Sequence, residues 1–137
     1  MSIFYTLYSN TPLSIGAIEQ VIGKAAIDQD ILDIDVDRPA SLTINFVKHD
    51  FHFHPSVSVL YELARGNYDE SVRAMITTVV KLLAADASDL VLLYQVDSPM
   101  LYRHNSTLIL NDTDFWRPEY RALITLPYTI EKLPDQP

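Results

Sequence analysis

The amino-acid sequence predicts an α+β fold: a single antiparallel β-sheet with two main helices packed on one face and a short C-terminal helix. Three observations lead to this fold class. Several short segments alternate apolar with polar residues or are rich in β-branched and aromatic residues, which is typical of strands. One long segment repeats apolar residues at helical spacing. A continuous apolar segment follows it, as expected for a central strand that this helix covers.

The first half of the chain is predicted to contain one helix among several strands. Ser14 is suited to cap the helix at its N-terminus, and Gly23 weakens its last turn. Further on, Leu42, Ile44 and Phe46 would share one face of a strand. In chain order, the predicted elements are a strand over Ile3–Ser9, a helix over 15–25, and strands over 31–37, 41–47 and Val57–Leu63.

The second half begins with a helix predicted over Tyr68–Ala85, which has the strongest pattern in the chain. We expect its apolar stripe to pack on the strand that follows. The residues expected in this contact are Val72, Ile76, Val79 and Val80 on the helix, and Leu90, Leu92 and Tyr94 on the strand. The later predicted elements are a strand over 90–96, a turn over 97–99, a hairpin of strands 100–103 and 107–110, a short helix over 115–123, and an extended end with Pro127, Pro134 and Pro137.

Composition limits the class of protein and of partner. The 137 residues fit a single domain over residues 1–137, and 48% hydrophobic content indicates a globular chain. A net charge of −8 disfavours nucleic acid or an anionic membrane as partner and favours a basic protein. The absence of cysteine excludes disulfides and thiolate catalysis. Since the first residues lack the positive charge of a signal peptide, we expect a cytoplasmic protein without a cofactor.

An acidic segment with no basic residue is the strongest candidate for a functional site. Its aspartates are Asp28, Asp30, Asp33, Asp35 and Asp37. Side chains alternate between the faces of a strand, so the last three carboxylates would line one face and three branched apolar residues the other. Like charges at every second position repel one another and add nothing to folding. We predict that these aspartates bind a partner.

Two other interpretations of the acidic segment stay open at this point. The carboxylates could form a solvated face with no partner, or they could coordinate calcium or magnesium. Calcium sites usually need a flexible loop with glycine, and no glycine lies in this segment.

A second candidate is the histidine-rich segment 49–54. In an extended strand Asp50, His52 and His54 would share one face, and two histidines at this spacing can ligate one metal ion. The competing interpretation is an amphipathic edge strand with Phe51 and Phe53 directed inward. One short segment supplies too few separated ligands, so we predict no metal site here.

No pattern of catalytic residues is recognisable in the sequence. There is no serine in a Gly-x-Ser-x-Gly motif and no glycine-rich loop that would hold a phosphate. Glu19 and Glu62 lie in unrelated contexts, so a pair of catalytic carboxylates cannot be argued. We predict that the protein is not an enzyme.

Several short segments resemble one protein family. They are Phe4-Tyr5-Thr6-Leu7-Tyr8 with Thr11-Pro12-Leu13-Ser14, then Asp89-Leu90-Val91-Leu92-Leu93-Tyr94, Leu101-Tyr102-Arg103 and Leu108-Ile109-Leu110-Asn111, and finally Phe115-Trp116-Arg117-Pro118-Glu119-Tyr120-Arg121-Ala122-Leu123. Together they resemble the Sit-type immunity proteins, small cytosolic proteins of bacterial contact-delivered toxin systems. The resemblance covers both ends of the chain and thins between Gly23 and Asn67.

The resemblance implies a protein that binds and neutralises one cognate toxin domain by occlusion, without catalysis. The acidic segment lies in the unmatched middle of the chain, where such families diverge and where the toxin would dock. Phe115, Trp116 and Tyr128 would be framework residues. The alternative functions are a non-enzymatic adaptor or subunit of another bacterial complex, and a small metal-dependent or ligand-binding protein that uses His52 and His54.

Overall fold

A computed structural model gives the structure of the protein, described here for residues 3–134. Its strands are β1 (Ile3–Ser9), β2 (Leu32–Asp37), β3 (Val57–Leu63), β4 (Leu90–Tyr94), β5 (Ser98–His104), β6 (Thr107–Asn111) and β7 (Thr129–Glu131). Its α-helices are α1 (Ile15–Ile22), α2 (Ser41–Phe51), α3 (Tyr68–Ala85) and α4 (Pro118–Arg121), with a 3₁₀ turn over Lys24–Ala26. The fold is α+β, as the sequence predicts.

All seven strands join one sheet in the order β2-β3-β1-β4-β5-β6-β7. Neighbouring strands within residues 3–134 run antiparallel, except that β7 runs parallel to β6. The extended C-terminal end predicted from the sequence therefore includes a short edge strand. Pro137, part of that prediction, lies outside the described residues.

The main core lies between α3, α1 and one face of the sheet, which we call the front face. Val72, Ile76 and Val79 of α3 are buried together with Leu90 and Leu92 of β4, as predicted. The remaining two residues of this prediction, Val80 and Tyr94, pack against the same core and are half-buried. The helical stripe and the strand thus cover each other's apolar surfaces.

Helix α2 corrects the strand that the sequence predicts over 41–47. The segment is helical and packs on the opposite face of the sheet, which we call the back face. Val47 and Phe51, one helical turn apart, are buried against Val91 and Leu93 of β4, whereas Leu42 is 84% exposed. The β-branched residues favour a strand locally, but burial of this helical stripe on the sheet outweighs that propensity.

The position of α2 also explains why β4 is apolar at nearly every residue. Leu90 and Leu92 face the front core, while Val91 and Leu93 face α2. A strand covered on both faces has no side that requires polar residues.

Strand β4 ends at Tyr94, and a turn with Gln95 at φ 56° precedes β5. The predicted turn over 97–99 is thus wrong by two residues, since β5 begins at Ser98.

Local chemistry fixes most of the helix and hairpin ends. The Ser14 hydroxyl accepts a hydrogen bond from the Ala17 N–H at 3.1 Å, which confirms the predicted cap. Helix α1 ends at Ile22, earlier than predicted, because Gly23 adopts the left-handed conformation at φ 68°. The β5–β6 hairpin turns at Asn105 and Ser106, both at positive φ, as a two-residue hairpin turn requires.

A buried arginine joins the sheet to the end of α3. Arg103 of β5 is 5% exposed, and its guanidinium donates to the carbonyl oxygens of Leu83, Asp86 and Ser88 at 2.7–2.8 Å. These carbonyls lie at or just beyond the C-terminal end of α3, where backbone acceptors lack helical partners and a cation is favourable. Arg103 is therefore a framework residue.

No helix within residues 3–134 is long and apolar enough to cross a membrane.

Candidate functional site: the acidic back face of the sheet

Strand β2 presents three carboxylates on the back face of the sheet. Asp33, Asp35 and Asp37 are exposed, whereas Leu32, Ile34 and Val36 between them are buried in the front core. The alternation predicted from the sequence is confirmed, because β2 lies at the sheet edge with its front side covered and its back side open. The three carboxylates form a row along one side of the molecule.

The other two aspartates lie in the turn that leads into β2. Both Asp28 and Asp30 are exposed. The Asp28 carboxylate accepts a hydrogen bond from the Asp30 N–H at 2.9 Å, and the Asp28 carbonyl accepts from the N–H groups of Ile31 and Leu32 at 3.0 Å each. Asp28 therefore shapes the turn in addition to adding charge.

No ion pair between described residues includes any of the five aspartates. Asp37 accepts a hydrogen bond from the backbone N–H of Arg38 at 2.7 Å, and the charge of its carboxylate is not offset by that contact. The acidic segment thus carries negative charge on an exposed face with no ion pair from a described residue, although the exposed Arg38 lines the same groove as Asp35 and Asp37. Such a field attracts a basic partner and weakens as salt rises.

A sixth carboxylate belongs to this face and was missed by sequence reasoning. Glu62 of β3 is the direct cross-strand partner of Asp33. Glu19 lies on α1, so the two glutamates are in different parts of the fold. Strand alternation places Glu62 on the side of β3 opposite buried Tyr61 and Leu63. Its pairing with Asp33 depends on the register of two strands separated by α2, which no local pattern contains.

Two large apolar side chains lie on the same face as the carboxylates. Leu60 of β3, the partner of Asp35, is 38% exposed, and Phe4 of β1, the partner of Glu62, is 36% exposed. Thr6 lies beside Leu60 on β1. The start of α2 forms a wall along this face, where a groove is lined by Thr6, Tyr8, Asp35, Asp37, Arg38, Pro39, Ala40, Thr43, Ser58 and Leu60.

The acidic row also has a purely structural explanation. Strand β2 is an edge strand, and charged residues on an edge discourage pairing with the edge of another molecule. Leu32, Ile34 and Val36 are 1%, 4% and 7% exposed, so little of their backbone is open on the outer side. A partner is thus better accommodated on the back face than as an added strand.

The histidine-rich segment does not form the strand that the sequence allows. Residues 49–51 end α2, and His52 adopts the left-handed conformation at φ 64° where the helix stops. Consequently Asp50, His52 and His54 do not share a strand face. Phe51 and Phe53 are buried, and no group of three potential metal ligands occurs among residues 3–134.

The C-terminal aromatic residues belong to the framework. Trp116 is buried, and its indole N–H donates to the Met100 carbonyl at 2.6 Å. Phe115 and Tyr128 pack partly buried against the front core. Their contacts hold the 115–128 segment on the sheet and leave no exposed aromatic surface at Trp116.

Comparison with known proteins places these features in a family context. A family model described as SitI3-like matches residues 7–121, which is most of the chain. The match includes the acidic strand, α2 and the segment between Gly23 and Asn67 in which the motif resemblance thins. No curated protein and no solved structure matches the chain.

Proposed function

The chain belongs to the SitI3-like family, the immunity-protein family of Sit toxin systems, and we propose that it neutralises one cognate toxin domain by binding and covering it. Family membership is the observation that supports the immunity function. The partner is a toxin that would otherwise harm the producing cell or related cells. The chain would bind it in the cytosol. Neutralisation by occlusion needs a complementary surface and no reacting group.

The acidic segment supports a particular mode of binding. Asp28, Asp30, Asp33, Asp35 and Asp37 are exposed and unpaired with any described cation, so their field extends into solvent. A basic toxin domain would be steered to this face, and charge complementarity raises the association rate more than it strengthens the final complex. We propose that these aspartates meet the toxin.

Occlusion has a quantitative consequence that separates it from enzymatic neutralisation. A covering protein must be present in at least equal amount, since each molecule protects against one toxin molecule. An enzyme that modified the toxin would protect at far lower amounts. Titration of the purified chain into an assay of toxin activity should therefore reach full inhibition at about one chain per toxin.

The proposal is tested by rescue from toxicity. The probe is a toxin domain of a Sit system, taken from a reading frame beside the gene of this chain where one is found, and expressed in cells with and without the chain. We expect growth arrest by the domain alone, normal growth when both are expressed, and a one-to-one complex after purification. Growth arrest that persists with the chain expressed and folded would contradict the proposal. A partner that binds but is harmless alone would favour the adaptor function instead.

A further inference from the structure

The back face of the sheet is only partly covered, and the uncovered part is apolar at its centre. Helix α2 packs over Val91 and Leu93 of β4, with Tyr8 and Tyr102 at the margin of that contact. Beyond α2, Phe4 and Leu60 remain 36% and 38% exposed. We call these two residues the Phe4–Leu60 patch.

The strand register places this patch directly beside carboxylates. Phe4 pairs with Glu62 and Glu62 pairs with Asp33, so these three residues lie in one row across β1, β3 and β2. Leu60 lies in the next row beside Asp35. The patch is thus apolar surface with an acidic border on the side of β2.

The pair of Asp33 and Glu62 is unfavourable in the free protein. Directly opposed side chains on antiparallel strands have Cβ atoms about 5 Å apart, and like charges at that separation repel each other. No ion pair between described residues offsets this repulsion. A cation placed between the two carboxylates would relieve it.

Resting on the proposed function, we infer that the Phe4–Leu60 patch is the docking surface for the toxin. The occupant is a basic protein surface that presents an arginine. Its guanidinium binds the carboxylates of Asp33 and Glu62, and its aliphatic stem packs on Phe4 and Leu60. Arginine suits this surface because it combines a fixed fork of donors with an apolar stem. Such desolvated arginine contacts dominate many protein interfaces.

The chemistry of the surface separates this occupant from others. Nucleic acid and anionic membranes carry the same sign of charge as Asp33, Asp35 and Glu62 and are repelled. An added edge strand would need an open β2 backbone, which the low exposure of Leu32 and Ile34 argues against. The open part of the back face beside α2 can instead accept the surface of a folded protein.

A matched pair of double variants tests the inference with the toxin domain that the wild-type chain binds. The test variant is Leu60→Ser/Glu62→Gln on β3. The control is Ile130→Ser/Glu131→Gln on β7 at the opposite edge of the sheet, where Ile130 is 41% exposed. Both variants remove one exposed apolar side chain and one negative charge. We expect the dissociation constant to rise about 30-fold or more for the test variant and less than threefold for the control, as for anchor and peripheral residues.

A stability measurement distinguishes a binding role of Glu62 from a structural one, because only a binding role predicts higher stability together with weaker binding. Glu62→Gln removes the repulsion with Asp33, so the free variant should unfold at a higher urea concentration than wild type while it binds the toxin domain more weakly. A merely structural Glu62 would lose stability and binding together.

The outcomes separate this inference from the proposed function. If wild type binds and neutralises the domain and Leu60→Ser/Glu62→Gln does so with an unchanged dissociation constant, the docking surface is wrong and the immunity function stands. An equal loss of affinity in test and control variants also overturns the surface. If wild type binds no toxic domain, the proposed function fails and the docking surface fails with it.

Discussion

At the residue scale, the charged side chains divide into those that hold the fold and those that have no internal partner. Arg103 is buried and donates to three carbonyl oxygens. Asp86, nearby, accepts from the Thr11 hydroxyl at 2.6 Å and from the Ser88 N–H at 2.9 Å. By contrast, Asp33 and Asp35 have no hydrogen bond or ion pair from a described side chain. The second group is therefore the one available to a partner.

Arg103→Met should destabilise the fold. Its loss leaves the carbonyls of Leu83, Asp86 and Ser88 without a donor near the end of α3, and we expect a cost on the order of 3 kcal/mol in the free energy of unfolding. Arg103→Lys should not restore stability, because one ammonium group cannot reproduce the guanidinium fork. Urea denaturation measures the effect, with the exposed Arg65→Met as control. A cost equal to that of the control would refute the capping role.

Asp86 gives a pH dependence of known sign. Burial raises the pKa of Asp86, but hydrogen bonds from Ser88 and Thr11 outweigh burial and bring the pKa below its usual value of 3.8. A carboxyl with a depressed folded pKa stabilises the fold above the unfolded pKa, and this stability is lost as pH falls through the folded pKa. Asp86→Asn should therefore destabilise the chain at pH 7, and the deficit should shrink below about pH 4. Equal deficits in urea midpoints at pH 7 and pH 3 would contradict this.

At the element scale, the sequence predicts correctly those helices and strands that are buried on one side and exposed on the other, because their apolar residues then recur at the period of the element. The stripe of α3 and the alternation of β2 are both recognisable because each element has one covered and one open side. In α2 the alternation of Leu42, Ile44 and Phe46 has the period of a strand. The residues of this helix that are buried against the sheet are Val47 and Phe51. Only the packing of α2 on β4 decides between these two patterns, and that contact joins segments distant in the chain.

The composition of the proposed docking surface could not be predicted for the same reason. The exposure of Asp33, Asp35 and Asp37 follows from local alternation. Their neighbours Glu62 and Phe4 follow only from strand order and register, which arise when α1, α2 and α3 pack on the sheet. Sequence reasoning therefore finds the acidic row and misses the surface that surrounds it.

Substitutions in α2 distinguish the helix from the strand predicted by alternation. Phe51→Ala should cost about 3–5 kcal/mol, because it opens a cavity between α2 and the back face of the sheet. Leu42→Ala should change stability by no more than about 0.5 kcal/mol, since Leu42 is 84% exposed. Chemical denaturation of both variants measures these values. A larger loss for Leu42→Ala than for Phe51→Ala would show that the helix is wrong.

At the scale of the whole molecule, one sheet connects the framework and the proposed binding face. Strands β1, β3 and β4 lie at its centre and carry the front core, while β2 at the edge carries the acidic row. That the chain is a single domain stays a prediction. We expect one cooperative unfolding transition, with circular dichroism and tryptophan fluorescence of Trp116 giving the same urea midpoint. Two separated transitions would contradict it.

The net charge of −8 matters to function through its distribution. Five aspartates cluster within residues 28–37 and Glu62 joins them across the sheet. A partner approaching from solvent meets this field before it meets the Phe4–Leu60 patch. In the proposed complex, steering by the field of the aspartates therefore precedes anchoring at Phe4, Leu60, Asp33 and Glu62. The association rate reports on the first step and the dissociation rate on the second.

The most direct test of the account is the association rate of the chain with the toxin domain that it is proposed to bind, measured over a range of salt concentrations. The wild-type rate should fall as salt rises, because the Debye length shrinks from about 30 Å at 0.01 M to about 10 Å at 0.1 M ionic strength. In Asp33→Asn/Asp35→Asn/Asp37→Asn the association rate at low salt should drop about tenfold or more and lose most of its salt dependence. The dissociation rate should rise as well, because Asp33 is also one of the two carboxylates proposed to bind the arginine. The triple variant should remain folded, since these exposed carboxylates contribute little to stability. A folded triple variant with the association rate and salt dependence of wild type would contradict the account.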